Sequence, residues 1–302
     1  MKVLNRSAAE IARIAADLTK IERSVDAAVA AVGSLDIVAG KVTVITGAPG
    51  AGKSSLIRSL LDRFHARGEK VAAILIDPSS PVTGGSVLGD RVRILGAEES
   101  GVFIRSVAAR NGSEAVGTVA PIMAWTLLNA GFDHVLIESV GIGQQELDVA
   151  KRGDVLALVL GPDSGDWVQF IKSGVLDLCN LIVVTKCDVA RRPVVVEIRK
   201  SVHLQSFRSE PLPVCPVSSL SGEGIAELVT SIDAQHQMLD EKKVALRQAI
   251  LRDILIRLIT EKARLEFQRK LDRCVAGDSQ GQVAEAMRFI ETVGGHDLDS
   301  AD

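Results

Sequence analysis

A glycine-rich segment near residue 50 has the composition of a phosphate-binding loop. Residues 47–54 match the pattern G-x-x-x-x-G-K-[ST], between an apolar run and a segment of helical period. Glycines allow backbone N–H groups to close around a β-phosphate, and the N-terminus of the next helix adds positive potential. Lys53 should neutralise β- and γ-phosphate oxygens, and the Ser54 hydroxyl should bind Mg²⁺. The predicted phosphate-binding residues are Gly47, Ala48, Pro49, Gly50, Ala51, Gly52, Lys53, Ser54 and Ser55.

A second segment predicts which base is bound. The tetrapeptide Thr185-Lys-Cys-Asp188 is similar to the guanine-reading motif [N/T]-K-x-D of GTPases, with Thr185 where many GTPases have Asn. The Asp188 carboxylate can accept hydrogen bonds from the ring N–H and the exocyclic amine of guanine. Adenine offers no such pair of donors, so ATP would leave polar groups unpaired. Lys186 is expected along the plane of the base, although the tetrapeptide alone could also be a surface turn.

A third segment, residues 217–225, has the sequence V-S-S-L-S-G-E-G-I. It is similar to the loop that closes over guanine with backbone amides, and Ser218, Ser219 and Leu220 are the matching positions. Clusters of serine and glycine are also typical of ordinary loops. This segment therefore supports guanine binding only together with the other two motifs.

Three acidic residues are candidates for a magnesium site. Mg²⁺ takes octahedral oxygen ligands and keeps several waters, so carboxylates at strand ends facing the phosphates suit it. Asp77 and Glu138 each end an apolar run, and Asp90 lies in a Leu-Gly-Asp-Arg segment. Each acid could instead be a helix cap. With Ser54, these three are the predicted metal ligands.

The residues after Glu138 predict contacts with the γ-phosphate. The segment Glu-Ser-Val-Gly that ends at Gly141 is typical of a γ-phosphate-sensing turn, with Glu in place of the commoner Asp, and the Gly141 amide should meet the γ-phosphate. Gln144 and Gln145 follow and could orient the attacking water, as a glutamine does in other GTPases. A solvated helix start explains the two glutamines equally well.

These motifs require a scaffold that brings strand ends to one edge, and the chain after residue 40 predicts one. Short runs rich in Val and Ile alternate with longer segments of helical period, which indicates a parallel sheet covered by helices. We predict an α/β fold: a P-loop NTPase with a mostly parallel central sheet flanked by helices. The predicted strands are 41–46, 71–77, 102–107, 134–139, 155–160, 181–185 and 214–217, and the predicted helices are 54–67, 113–130, 166–178, 193–202 and 225–237.

Helical extensions flank this predicted domain. Ile11, Ile14, Leu18, Ile21 and Val25 fall at steps of three and four on one face of an amphipathic helix, which we expect to pack against the protein. From about residue 238 a charged helix continues to about 273, with leucines at 251, 258 and 265. The predicted division is 1–38 for the N-terminal extension, 39–237 for the P-loop domain, and 238–302 for a C-terminal helical arm and tail.

The composition excludes several classes of function. A formal net charge of −3 and an aromatic content of 3% give no basic footprint and little base-stacking surface, so no nucleic acid is expected. No apolar stretch approaches the roughly 20 residues of a membrane helix, so no membrane association is expected. Cysteines at 179, 187, 215 and 274 and histidines at 65, 134, 203, 236 and 296 are dispersed, which argues against a disulfide framework or a transition-metal site. A reducing cytoplasm is the expected setting.

Taken together, the motifs from Gly47 to Gly224 resemble one family, the methylmalonyl-CoA mutase-associated GTPases, also called the MeaB or ArgK type of P-loop GTPases. The resemblance covers most of the chain, and its motifs are specific. The segments that carry it are 46–56, 76–85 with 88–91, 103–106, and 130–133 leading to 137–146.

This resemblance implies an Mg²⁺-dependent GTPase that binds GTP and GDP and is a chaperone for an adenosylcobalamin-dependent acyl-CoA mutase of the methylmalonyl-CoA mutase type. The chaperone would gate cofactor loading and protect the mutase from inactivation. Family members are homodimers whose C-terminal helices form an arm, which suits residues 238–302. A family loop matching 165–172 passes nucleotide state to the mutase, and Lys172 is the residue singled out there. Ser139 for Thr, Gln145 for Ser and Phe170 for Gly depart from the expected pattern, and the last bears on which mutase is the partner.

Three alternatives stay open. An ATP-dependent kinase or transport ATPase would bind ATP tightly. A metal-insertion GTPase for a nickel enzyme would need Cys or His ligands near the nucleotide, where the motifs hold only Cys187. A scaffold with an inactive nucleotide site is disfavoured by the intact Lys53 and Ser54. No arginine finger is evident, so the GTPase interpretation predicts slow intrinsic hydrolysis that the partner accelerates.

Overall fold

The computed structural model describes residues 7–36, 40–78, 102–109, 114–139, 149, 151–161, 175–189, 192–205 and 212–275. Within them the chain forms one sheet of seven strands in the order β3-β2-β4-β1-β5-β6-β7, and every neighbouring pair is parallel. The strands are β1 Lys41–Gly47, β2 Val71–Pro78, β3 Phe103–Ala109, β4 His134–Glu138, β5 Val155–Leu160, β6 Leu181–Val184 and β7 Val214–Pro216.

The sheet confirms the predicted α/β class and all seven predicted strands, with ends that differ from the predicted ones by at most two residues. Its inner strands are apolar on both faces because helices cover both faces, and every residue of β5 and β6 is buried. The chain passes from β1 to β2, outward to β3, back to β4 and then across to β5 on the other side of β1. The strand order therefore reverses beside β1, and crevices at the carboxyl ends of strands at such points are where open α/β sheets bind ligands.

The described helices are α1 Ala8–Arg23, α2 Val25–Gly33, α3 Lys53–Ala66, α4 Glu114–Asn129, α5 Val175–Leu178, α6 Arg192–Gln205 and α7 Ile225–Val275. The predicted helix 166–178 is described only over its last turn. The predicted packing stripe near the N-terminus is divided between two helices, since the extended Ser24 ends α1 and its hydroxyl caps α2 by accepting from the Ala27 N–H at 3.2 Å. Ile14, Leu18 and Ile21 are buried as expected, whereas Ile11 is exposed.

Helix α7 is a single helix of 51 residues, where the sequence had predicted two segments. At 1.5 Å per residue it is about 76 Å long. It contains no Gly or Pro that would end it, so the change near residue 238 alters surface charge without interrupting the helix. The predicted boundary between 237 and 238 falls inside this helix, and the division into domains stays a prediction.

The first half of α7 packs on the amino end of β1 through polar groups. Asp233 pairs with Lys41 of β1 and with Arg67, which follows α3. The Thr43 hydroxyl lies 2.8 Å from His134 Nε2 and 2.9 Å from His236 Nε2. Burial lowers the pKa of His236 to about 3 and holds the pKa of His134 well below its ordinary value, so both rings are neutral at physiological pH.

None of the helices in the described part of the chain is both long and apolar enough to cross a membrane.

Candidate functional site

The predicted phosphate loop, residues 48–52, joins the end of β1 to the start of α3. Gly47 lies against β5, and a Cβ atom there would stand 2.3 Å from the Val159 carbonyl oxygen, so only glycine fits. Gly52 precedes α3 with a φ of +89°, a left-handed conformation that glycine adopts at little cost. This geometry directs the backbone N–H groups of the first turn of α3 toward the carboxyl edge of the sheet, where an anion binds well.

Lys53 is the first residue of α3 and is buried. Its Nζ donates to the carbonyl oxygens of Gly47 and Ala48, at 2.9 and 3.0 Å. The ammonium group is thus held by the loop's own backbone, next to the backbone N–H groups that would meet the phosphates. The phosphate loop and the Lys53 ammonium group are therefore bound to each other.

Ser54, in the first turn of α3, contacts Glu138 at the end of β4. β4 pairs directly with β1, with Ile45 opposite Glu138, and the Ser54 hydroxyl donates to Glu138 Oε1 at 2.9 Å. Glu138 is only 8% exposed. A hydroxyl and a carboxylate side by side at the edge of a phosphate loop are hard oxygen donors of the kind that Mg²⁺ takes. The residues present therefore fit the predicted ion.

The other two predicted metal ligands are less fully placed. The backbone of Asp77 lies near the end of β2, two strands from β1 on the same edge of the sheet, while its side chain is outside the described part of the structure. Asp90 lies outside the described residues altogether, as do Gly141, Gln144 and Lys172. The structure thus brings Lys53, Ser54 and Glu138 together and leaves the γ-phosphate turn and the partner loop as predictions.

The predicted guanine motif begins where β6 ends and contacts the phosphate loop. The Thr185 hydroxyl donates to the Ala51 carbonyl oxygen at 2.5 Å and lies 3.2 Å from the Leu160 carbonyl oxygen. Lys186 adopts a φ of +57°, and its Nζ donates to the Gly50 carbonyl oxygen at 3.0 Å. Asp188 is exposed at this edge. The base-binding and phosphate-binding segments are therefore hydrogen-bonded to each other.

Residues 217–224 lie beside this motif. The Cys187 N–H donates to the Val217 carbonyl oxygen at 3.1 Å, which ties the two loops together. Ser218 is fully buried, and its hydroxyl accepts from the Ser221 N–H at 3.2 Å. Leu220, by contrast, is 89% exposed. Ser218 therefore shapes the loop, while Ser219 and Leu220 lie where the loop is open to a ligand.

Cys187 belongs to the guanine motif and is partly buried where this motif meets residues 217–224. Burial raises the pKa of its thiol, and the nearby carboxylates of Glu223 and Asp188 act in the same direction. The thiol is therefore protonated at neutral pH. A neutral thiol is a poor ligand for a metal ion and a poor nucleophile, which favours a packing role for this side chain.

Sequence reasoning missed two parts of this arrangement. Thr185 stood out only as a departure from Asn, yet its buried hydroxyl joins the two nucleotide-binding segments. The other is a set of charged contacts between residues 152–154 and α7, signalled in the sequence only by the adjacent opposite charges of an Arg-Gly-Asp tripeptide. The spacing of residues along the chain does not reveal the hydrogen-bond partner of Thr185 or the charged partners of residues 152–154.

Comparison with known proteins gives consistent results. The model of the family described as methylmalonyl-CoA mutase-associated GTPase MeaB matches residues 15–271. A Pyrococcus horikoshii protein whose name describes it as a GTPase is 32% identical over 256 residues, which cover 82% of this chain and 76% of that protein. The mouse protein named methylmalonic aciduria type A homolog, mitochondrial, is 34% identical over 68% of this chain, and the match covers 51% of the mouse protein.

A crystal structure described as a LAO/AO transport system kinase superposes with a TM-score of 0.60 at 22% identity, covering 95% of this chain and 99% of that one. A likeness at that identity shows the fold alone. It agrees with the P-loop NTPase architecture inferred from the strand order and the loop after β1.

Proposed function

The chain belongs to the methylmalonyl-CoA mutase-associated GTPase family MeaB, and on that basis we propose that it is a chaperone of an adenosylcobalamin-dependent acyl-CoA mutase. It is a P-loop GTPase, as its family and its similarity to named GTPases establish. The proposal concerns what the hydrolysis controls: loading of the mutase with its cofactor and protection of the mutase from inactivation. The observation that carries it is the extent of the family match, which includes residues 15–38 of the N-terminal extension and 238–271 of the C-terminal one as well as the nucleotide motifs.

The site accelerates hydrolysis mainly through electrostatic stabilisation of the transition state. Lys53 and the N–H groups at the start of α3 stabilise the negative charge that develops as water attacks the γ-phosphate in line. Ser54 and Glu138 would hold Mg²⁺ directly or through its waters, and the bound ion would supply positive charge beside the β- and γ-phosphate oxygens. In this proposal Gly141 contacts the γ-phosphate and Gln144 orients the water.

Base selection rests on Asp188. It is exposed at the carboxyl edge, so its carboxylate can meet the ring N–H and amine of guanine, while the aliphatic part of Lys186 lies along the base. Ser219 and Leu220 belong to the loop that covers the base from the other side. The rival kinase or transport ATPase function requires ATP instead, and competition between nucleotides separates the two.

The partner surface of the proposal includes the loop 165–172, with Lys172 as the residue that transmits nucleotide state. The family description names methylmalonyl-CoA mutase, and the mouse relative is named for methylmalonic aciduria, both of which support a mutase as the partner. We place the protein in the cytoplasm as part of the same proposal. Within the described residues Cys179, Cys187 and Cys215 form no disulfide, which suits a reducing compartment.

The proposed chaperone is a homodimer that associates through α7. Ile256 and Ile259, at 56% and 61% exposure, lie on one side of this helix with Ala249 and Ala263. These four residues, at intervals of seven, three and four, form an apolar seam that a second copy of the helix would cover. Ile256→Lys should therefore convert a dimer to a monomer in sedimentation while nucleotide binding is kept.

The decisive experiment is co-purification with candidate adenosylcobalamin-dependent mutases in GDP and in a non-hydrolysable GTP analogue. We expect one mutase to bind in a nucleotide-dependent manner and to raise the GTPase rate. Lys53→Ala should remove the nucleotide dependence, and Lys172→Ala should keep intrinsic hydrolysis while losing the acceleration. If no mutase binds in either nucleotide and none changes the GTPase rate, the chaperone function is wrong although the GTPase assignment stands.

A further inference from the structure

Arg152 lies just before β5 and is anchored in three directions. Its guanidinium group is 4% exposed, and it donates to the Gly117 carbonyl oxygen and to the Thr118 hydroxyl of α4. It also pairs with Asp253 of α7, with 2.8 Å between Nη2 and Oδ2. Asp253 itself is half exposed. This residue therefore joins α4 and α7 to the chain segment that leads into β5.

Asp154, two residues later, makes the reverse pairing with the same helix. Its carboxylate accepts two hydrogen bonds from Arg247 of α7, at 2.8 and 2.6 Å, and both side chains are almost fully buried. It also accepts from the Val42 N–H at 2.8 Å, while Arg247 donates to the Gly40 carbonyl oxygen at 2.9 Å. A bidentate pair with these further contacts has its polar groups satisfied, as a buried ion pair requires.

Gly153 between them packs against β1. A Cβ atom at this position would lie 2.5 Å from Val44 Cγ2, so the backbone here is pressed onto the central strand. The two opposite charges of the tripeptide thus face two opposite charges of α7, with the backbone between them fixed. We call Arg152, Asp154, Arg247 and Asp253 the α7 clamp.

The clamp's position in the chain gives it a connection to the nucleotide. Glu138 ends β4 at the carboxyl edge, and β5 starts at the amino edge, so residues 139–154 connect the phosphate side of the sheet to the opposite side. The predicted γ-phosphate turn at Gly141 and the predicted water-orienting Gln144 belong to this connection. One end of it is held by Glu138 beside Ser54, and the other end is held by the clamp.

Helix α7 also begins at the nucleotide side. Its first residue, Ile225, follows directly on the loop 217–224 that lies beside the guanine motif. The same helix then reaches Arg247 and Asp253 about six and eight turns later. One continuous element therefore connects the base-covering loop with the far end of the γ-phosphate segment.

We propose that the α7 clamp consists of positioning residues for GTP hydrolysis, holding the end of the γ-phosphate segment in register with α7. The inference rests on the proposed γ-phosphate roles of Gly141 and Gln144. The clamp touches neither phosphates nor base, so its loss should affect the hydrolytic step and leave ground-state nucleotide affinity unchanged. The helix that carries the proposed dimer seam would then influence hydrolysis through the same contacts.

The test uses Asp253 because it is half exposed, so that among the clamp residues its replacement should disturb the fold least. Asp253→Ala and Asp253→Asn remove a charged partner of the buried Arg152, and kcat for GTP should fall by about two- to thirtyfold. KM for GTP and Kd for GDP should change by less than about twofold, since binding in the ground state is unaffected. Asp253→Glu keeps the charge and should keep most of kcat.

The matched control is Glu261→Gln, which removes a carboxylate paired with Arg264 two turns further along the same helix. It should match the wild-type protein in kcat, KM and Kd. The inference is overturned if the Asp253 variants keep wild-type kcat, or if kcat, KM, Kd and the unfolding midpoint all worsen together, because the latter indicates general destabilisation. A wild-type protein that binds no GTP would instead refute the GTPase assignment itself.

Discussion

Replacing Thr185 by valine tests whether the base-binding and phosphate-binding segments act as one unit. Valine has nearly the same shape as threonine, so the change removes the hydroxyl and leaves the packing. In the structure that hydroxyl is buried, donates to the Ala51 carbonyl oxygen in the phosphate loop, and lies close to the Leu160 carbonyl oxygen at the end of β5. The substitution therefore cuts one defined link between two loops.

The expected loss of free energy in Thr185→Val follows from the burial of the Ala51 carbonyl oxygen. Ala51 is only 3% exposed, so its carbonyl group has little access to water that could replace the lost donor. Leaving a buried acceptor unsatisfied costs about 1–3 kcal/mol. If that cost appears wholly in nucleotide binding, affinity falls by about 5- to 150-fold. Whatever part does not appear in binding should lower the free energy of unfolding.

The assay compares two ligands by calorimetry in the presence of Mg²⁺: GDP, and tripolyphosphate, which has no base. Thr185→Val should weaken both by a similar factor, because the hydroxyl positions the phosphate loop. Thr185→Ser keeps the donor and should bind both ligands nearly as the wild type does. Asp188→Asn is the matched contrast, since it should weaken GDP and leave tripolyphosphate unchanged.

Two results would refute this reasoning. If Thr185→Val weakens GDP but leaves tripolyphosphate unchanged, Thr185 acts on the base and its bond to Ala51 has no part in phosphate binding. If the variant matches the wild type for both ligands and in urea unfolding, the hydrogen bond contributes nothing measurable.

Three further predictions follow from the geometry. Asp188→Asn should lower affinity for GTP and raise affinity for xanthosine triphosphate in a competition assay, whereas a shift toward ATP would contradict guanine reading. Gly47→Ala places a Cβ atom against the Val159 carbonyl oxygen and should lower the free energy of unfolding, measured in urea, by about 3 kcal/mol. The Cβ atom of Gly50→Ala meets open space, so this variant should lose only about 1 kcal/mol, because alanine is strained in the left-handed conformation at this position. The free energy of unfolding should fall as the pH drops from 6.5 toward 5, because His134 and His236 bind protons in the unfolded chain but stay neutral in the folded one. Each histidine should contribute about 1 kcal/mol per pH unit to this slope. His236→Gln should remove the contribution of His236 in urea unfolding.

The sheet and the phosphate loop were predictable from sequence because their signals are local. A buried parallel strand such as β5 is a continuous apolar run, and the loop after β1 has a fixed spacing of Gly, Lys and Ser. The end of α1 was not predicted, since Ser24 interrupts an apolar stripe whose period continues past it. The continuity of α7 was missed for the opposite reason: a change in surface composition near residue 238 resembled a boundary.

Long-range partners lay beyond the sequence for a different reason. Five dispersed histidines gave no sign that two of them would share the Thr43 hydroxyl, because the contact joins residues 193 positions apart. The pairing of Asp154 with Arg247 depends equally on where the chain brings α7. These pairings are determined by how whole helices and strands pack against each other. The order of residue types along the chain therefore does not reveal them.

The docking of α7 on β1 has a consequence for synthesis on the ribosome. β1 is among the first strands to emerge, but Gly40 and Thr43 find their helical partners only in residues made some 200 positions later. At about 5–20 residues per second, the nascent chain must wait about 10–40 s before its central strand can be completed. A polypeptide truncated before α7 would leave Gly40 and Thr43 without these partners. We expect such fragments to be bound by holdase chaperones instead of reaching the native state.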